Sequence, residues 1–257
     1  MRVAMIPLVA ALAFGAAVSA HAEDAKMKTE QPLSHRRLID LSHTIEHGMI
    51  TYKGLPSPVI RDHLSREQSR ANYAAGTEFQ IGRIEMVANT GTYLDTPSHR
   101  FAEGKDLSEL DLDSIADLDA VVIDVSRSKV RAVSRSRFEG AALQGKAVLV
   151  HTGWDRHWRT EQYFDGHPFL TADAAEYLRD SGVALVGIDS FNIDDTADKR
   201  RPVHTTLLAA GIPIVEHLRG LGELPASGFR FSAAPVKVKG MGTFPVRAYA
   251  SVPVQNE

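Results

Sequence analysis

Two short stretches of the chain hold side chains that could act on a substrate together. The first is Asn89-Thr90-Gly91-Thr92-Tyr93-Leu94-Asp95-Thr96-Pro97-Ser98-His99-Arg100, the densest polar run in the sequence. Asp95 and His99 are four apart with Pro97 between them, so they should project from a rigid extended loop and not from a regular helix. Such a loop is a good mount for a site. The second is Arg201-Pro202-Val203-His204, with Glu216 twelve residues further on. Glu216 follows the apolar run 212–215, where the last residue of a strand opens onto a crevice. A carboxylate there is expensive to desolvate unless it is paired or bound to a metal. Spacing alone also admits a plainer reading, with Asp95-Thr96-Pro97 as a turn and His99 on the surface. In that reading Glu216 pairs with an arginine and His204 caps a helix.

Other chemistries are excluded. The chain has no cysteine, which removes disulfides, thiolate nucleophiles and Cys-ligated metals, so any metal must sit on His, Asp, Glu or backbone oxygens. No G-x-x-x-x-G-K-[ST], G-x-S-x-G or H-E-x-x-H pattern occurs, and Gly240-Met241-Gly242 is too short for a dinucleotide fingerprint and reads as a turn. With 29 Lys and Arg against 32 Asp and Glu, the chain has no basic surplus for phosphates, which argues against nucleic acid as a partner.

The elements that must position these residues follow from the apolar runs. Residues 1–22 read as a signal peptide, with Arg2, an apolar stretch over residues 3–18 and Ala20-His21-Ala22 before Glu23. That stretch is short of the ~20 residues needed to span a bilayer. The expectation is a periplasmic or secreted protein with no membrane attachment after cleavage. Residues 23–37 are polar and aperiodic and read as a flexible lead-in, leaving residues 38–257 as one domain. Buried strands are expected at 120–125, 147–151, 184–189, 213–216, 229–238 and 244–252, and a strand-like run covers 79–87. One helix is expected after Thr171, with Ala174, Ala175 and Leu178 on its inner face, and a second over residues 205–210 after His204. The class is α/β, weighted to β.

Residues 89–99 resemble the signature H-x-G-T-H-x-D-x-P-x-H of the cyclase family, which includes bacterial kynurenine formamidase (arylformamidase) and isatin hydrolase. Asp40-Leu41-Ser42-His43 is similar to that family's D-L-S opening, and residues 48–54 to its aromatic-bearing P-x-W-P-G loop. Val148-Leu149-Val150-His151-Thr152-Gly153-Trp154 is similar to its V-L-L-x-T-G-W strand, and residues 185–194 to its G-I-D-x-x-S-x-D turn. His204 and Glu216 match its late His and Glu at the family's spacing. The resemblance implies a single domain of the swivelling β/β/α fold, assembled as a homo-oligomer and acting on a small molecule. It also implies that Asp95, His204 and Glu216 hold one divalent ion, Zn or Mn, and that His99 donates and accepts protons.

Asn89 and Tyr93 stand where members with the full motif have two further ligand histidines. An amide carbonyl is a weak ligand and a neutral phenol a weaker one, so these two are expected to hydrogen-bond to a tetrahedral oxyanion. Tyr52 stands where the family places a substrate-stacking aromatic, a position that simple packing would also explain, and Trp154 reads as core. The expected function is metal-dependent hydrolysis of an amide or lactam C–N bond, arylformamidase-like. Its rivals are a lyase or cyclase working on a hydroxy-acid or polyketide-like substrate, and a metal-deficient small-molecule binding protein.

Overall fold

The computed structural model describes residues 36–254. The signal peptide and all but the last two residues of the lead-in lie outside the described residues. Thirteen strands occur among them: β1 (Arg36–Asp40), β2 (Val59–Leu64), β3 (Ile81–Glu85), β4 (Tyr93–Asp95), β5 (Leu118–Asp124), β6 (Ala132–Val133), β7 (Ala147–His151), β8 (Phe169–Leu170), β9 (Leu185–Ile188), β10 (Ile214–Glu216), β11 (Ser227–Ser232), β12 (Thr243–Pro245) and β13 (Tyr249–Pro253). The helices are α1 (Arg66–Ser69), α2 (Ala172–Asp180) and α3 (Pro202–Ala209). Among the described residues no helix is long and apolar enough to cross a membrane.

Nine strands form one sheet in the order β1-β13-β11-β5-β7-β9-β10-β4-β12. Its centre, β5-β7-β9-β10, is parallel, and the strands on either side run antiparallel. Parallel strands are covered on both faces, which is why the central runs are apolar without alternation. Successive side chains still point to opposite faces. Val148, Val150, Val186 and Ile188 pack under α2 and α3 with Leu178 and Leu207, whereas Leu149, Leu185 and Val215 pack on the other face with Phe229 and Phe231.

The mixed α/β, strand-rich class holds, and most expected runs became strands. β1 begins at Arg36, two residues inside the expected lead-in, and several strand ends shift by one or two residues; three boundaries differ by more. The run 229–238 ends as a strand at Ser232, and 244–252 is two strands, β12 and β13, broken at residues 246–248. α3 starts at Pro202 and not after His204. Proline is favoured in the first helical turn because its fixed φ suits the helix and no N–H is left without a partner. His204 therefore lies inside that turn and caps nothing. Trp154 opens a 3-10 turn half-buried, its indole N–H on the Tyr163 carbonyl at 3.1 Å, so it is a surface-layer residue and not core.

Candidate active site

Strand register assembles the site. β4 lies between β10 and β12, with Glu216 opposite Tyr93 and Thr243 opposite Asp95. Residues directly opposed across strands, or two apart on one strand, share a face. Tyr93, Asp95, Glu216 and Thr243 thus crowd one side, while Leu94 between them enters the core. Pro97 opens a single 3-10 turn, Pro97–His99, in place of the expected extended loop. That turn brings His99 Nδ1 to 3.6 Å from Asp95 Oδ1. It is seated against Gly242, where a Cβ would lie 2.4 Å from the His99 backbone nitrogen.

Thr243 decides the tautomer of His99. Its Oγ1 contacts both Asp95 Oδ1 and His99 Nδ1, the latter at 2.7 Å. An ionised carboxylate only accepts, so the single hydroxyl proton goes to Asp95 and the hydroxyl must accept from His99 Nδ1–H. His99 Nε2 is then the lone-pair nitrogen, the state a proton acceptor requires.

His204 is fixed in the same manner from behind. The loop after β9 delivers Asp194, which accepts from the backbone N–H of Val203 at 2.7 Å and of His204 at 3.0 Å, capping α3. The same carboxylate takes His204 Nδ1–H at 2.6 Å. His204 Nε2 is left facing Asp95 Oδ2 at 3.6 Å and Glu216 Oε1 at 3.8 Å. Asp95 is fully buried, and its Oδ2 has no hydrogen-bond partner. Burial works against an imidazolium here, yet the hydrogen bond to Asp194 and the charges of Glu216 and Asp95 push the His204 pKa up to about 10. Three carboxylates have gathered around this point, and they favour a cation there.

The opposite wall is different. Glu216 Oε2 accepts from Tyr93 OH at 2.6 Å, and Glu216 Oε1 accepts from Ile193 N at 2.6 Å. Tyr52 OH lies 2.9 Å from Tyr93 OH, donates to Phe191 O at 3.0 Å and accepts from Asn192 Nδ2 at 2.9 Å. Burial and the neighbouring Glu216 charge raise both phenols well above the ordinary tyrosine range, so they remain neutral. Asn89 lines the cavity half-buried, with no hydrogen bond from its amide among the described residues.

All seven expected residues therefore border one cavity of about 290 Å³ or, for Asp95, lie directly behind it. Asp95, His99 and His204 bring one ligand atom each to within 4.8 Å of one another. Residues with no assigned role in the sequence reading also matter: Asp194, Thr243, Asn192 and Gly242. Asp194 lies in the stretch resembling a family turn, but nothing in the sequence pairs Thr243 with Asp95.

The sequence profile of the cyclase family matches residues 39–195, more than half of the chain. The chain belongs to the cyclase family. Among its relatives is the kynurenine formamidase of Bacillus cereus strain ZK / E33L, 29% identical over 211 residues that cover 82% of this chain and 95% of the relative. Isatin hydrolase A from Labrenzia aggregata, solved with benzyl benzoate, shares the cyclase-family fold at a TM-score of 0.72 and 22% identity, covering 85% of this chain and 94% of its own. A protein from Bacillus stearothermophilus described as a predicted metal-dependent hydrolase superposes at a TM-score of 0.66 with 27% identity, over 84% and 98% of the two chains.

Proposed function

We propose that this cyclase-family chain is a metal-dependent hydrolase of amide or lactam C–N bonds. Its ligands in this reading are Asp95, His204 and Glu216, and His99 is the general acid and base. One observation carries the reading: a fully buried carboxylate oxygen, Asp95 Oδ2, lacks any partner and lies 3.6 Å from a histidine nitrogen whose tautomer is fixed from behind. A buried acceptor without a donor is costly, and a carboxylate–histidine pair of this form is how metal-binding imidazoles are held. Glu216 Oε1 keeps a second lone pair beside its bond to Ile193. The donor set fits a small divalent ion of the zinc or manganese type, one per chain.

What such an ion supplies when bound is Lewis acidity toward the substrate carbonyl and a water of lowered pKa. The chain's own residues do the rest. His99 Nε2 takes a proton from the attacking water and returns it to the departing nitrogen, so that a C–O bond forms as the C–N bond breaks. Thr243 and Asp95 hold the Nδ1–H that makes this possible. The amide of Asn89 is free to donate to the oxyanion. Tyr93 is committed to Glu216 and orients that carboxylate, while Tyr52 and Leu55 line the same cavity. The kynurenine formamidase relative supports a formylated aromatic amine as the substrate class.

The test combines metal analysis of purified protein with a panel of formanilides, lactams and esters. About one equivalent of metal and metal-dependent formanilide cleavage are expected. A metal-loaded preparation inert toward the whole panel overturns hydrolysis. Inability to retain metal, together with tight small-molecule binding, places the chain among binding proteins.

A further inference from the structure

One run of the chain carries charge of the opposite sign to the rest. Residues 126–137 hold Arg127, Lys129, Arg131, Arg135 and Arg137 and no Asp or Glu. These are five of the 29 Lys and Arg, so the remainder has 24 basic against 32 acidic residues. We propose that this run is a docking surface for an anionic phospholipid bilayer, with its cations on the headgroups and Val130 in the interfacial layer. Such a contact is peripheral: it needs no spanning helix, and it replaces the expectation of no membrane attachment. It stands apart from the amide chemistry.

The fold leaves these charges exposed and mostly unpaired. All five side chains are exposed. Among the described residues only Arg135 has a carboxylate within salt-bridge distance, Glu139 at 2.8 Å. A turn closed by Ser128 N donating to Val125 O at 2.8 Å brings Arg127 and Arg137 to the lining of one cavity of about 200 Å³. Asp124, in the same lining, is already engaged by Ser126 N at 2.9 Å and lies 3.2 Å from His151 Nδ1. Arg131 Nε donates to the His167 carbonyl at 3.1 Å, which leaves the rest of its guanidinium open. Cations gathered in this way repel one another unless an anion lies among them.

Val130 decides between a bilayer and other polyanions. It lies between Lys129 and Arg131 and is 63% exposed. A lone exposed apolar side chain is ordinary. Set among cations, it suits a surface that offers phosphate and hydrocarbon together, which a bilayer interface does. A polynucleotide offers phosphate but nothing for Val130, and residues 126–137 contain no aromatic on which a base could stack. The acidic remainder does not oppose the contact, because charges further than about 8 Å from the lipid are screened at physiological salt.

The position has a consequence for the catalytic end of the molecule. The turn follows Asp124, the last residue of β5, and Glu216 is the last residue of β10. β5, β7, β9 and β10 are parallel neighbours. The run and the ligand carboxylate therefore share one end of the sheet, three strand spacings or roughly 15 Å apart.

The test is sedimentation of the full chain with vesicles of phosphatidylcholine alone and of an equal mixture of phosphatidylcholine and phosphatidylglycerol. The apolar residues 3–18 act on both vesicle types alike, so the difference between them reads the basic run. A basic residue at an anionic surface is worth about five-fold in partitioning, so the mixed vesicles should bind on the order of 10²–10³-fold more tightly. That preference should fall as salt rises. Replacing Arg127, Lys129 and Arg137 together by Gln should remove on the order of 100-fold of it. Val130→Asp should weaken binding to the mixed vesicles, and Val130→Trp should strengthen it. Lys199, Lys237 and Lys239, exposed elsewhere, give a control of equal charge: their replacement by Gln should leave the preference in place. Thermal melting of each variant shows that it is folded. Equal sedimentation with both vesicle types, a preference unmoved by the first triple, or an equal loss in the control triple overturns the proposal. So does binding to duplex DNA at the same salt that is as tight as binding to the mixed vesicles and is lost in the first triple, since the run is then a polynucleotide site.

Discussion

The two walls of the cavity use similar residue types to opposite ends. On the histidine wall, acceptors outnumber donors: Asp95 Oδ2 has no partner, and both site histidines have their outer nitrogens fixed, by Thr243 and by Asp194. On the phenol wall, Tyr93, Tyr52, Asn192 and Ile193 satisfy Glu216 and one another. Buried polar atoms without partners are the exception in folded proteins. The difference says where an ion belongs. The histidine wall is short of positive charge, while the phenol wall, where Tyr93 replaces a family histidine, has closed its own network.

The sharpest way to break this contrast is to remove His204. His204→Ala should cost metal and activity together, the rate falling on the order of 10³-fold or more, because a three-ligand site has no redundancy. Metal content by mass spectrometry alongside kcat/KM decides it. A variant that keeps its metal sends His204 back to a structural role in the first turn of α3.

His99 should behave differently although it sits only 6.0 Å away, centroid to centroid. His99→Ala is expected to keep the metal and lose on the order of 10²–10⁴-fold in rate. If it strips the metal, His99 is a ligand on the histidine wall and the proton acceptor lies elsewhere.

How far these walls could be read from sequence depends on which contacts make them. The central strands were legible because parallel strands buried on both faces leave unbroken apolar runs such as Val148-Leu149-Val150. Glu216 was legible as the polar end of one such run. The start of α3 lies three residues before the expected one because Pro202 takes the first helical position, which the apolar pattern after His204 does not reveal. Thr243 was illegible for a deeper reason. Its partnership with Asp95 spans 148 residues and is set by the β4–β12 register, which no local pattern encodes. Asp194 likewise shows its purpose only once α3 docks its first turn onto it. The β2–β3 hairpin was only half visible: β3 fell in a strand-like run, while β2, mixed and largely exposed, gave no periodicity.

A smaller perturbation tests the support behind the histidine wall. Asp194→Asn keeps a side chain of the same shape and removes the charge that holds His204. It should weaken metal affinity about 10–100-fold, as loss of such a supporting carboxylate does, with kcat recovering at saturating metal. An unchanged metal dissociation constant, measured by chelator competition, would reduce Asp194 to a helix cap.

The phenol wall should give the least, and that is its test. Tyr93→Phe deletes the 2.6 Å bond to Glu216 Oε2 but leaves Asn192 Nδ2 and Tyr52 OH each 3.4 Å from that oxygen, with Ile193 N still bonded to the other. The expected cost is about 1–3 kcal/mol of stability, the range for a buried hydrogen bond to a charged group, read as a fall in Tm of several degrees. Metal content should stay the same, because the backbone N–H of Ile193 still fixes Glu216 Oε1, the oxygen turned toward His204. Asn89→His together with Tyr93→His pushes in the other direction. It opens the closed network and returns two imidazoles to the family's ligand positions, so a second equivalent of metal is expected. If Tyr93→Phe by itself releases the metal, the walls are not independent, and Tyr93 holds Glu216 in its ligand pose. If the double-histidine variant binds no second ion, then Tyr52 and Asn192, not Tyr93, keep that wall shut.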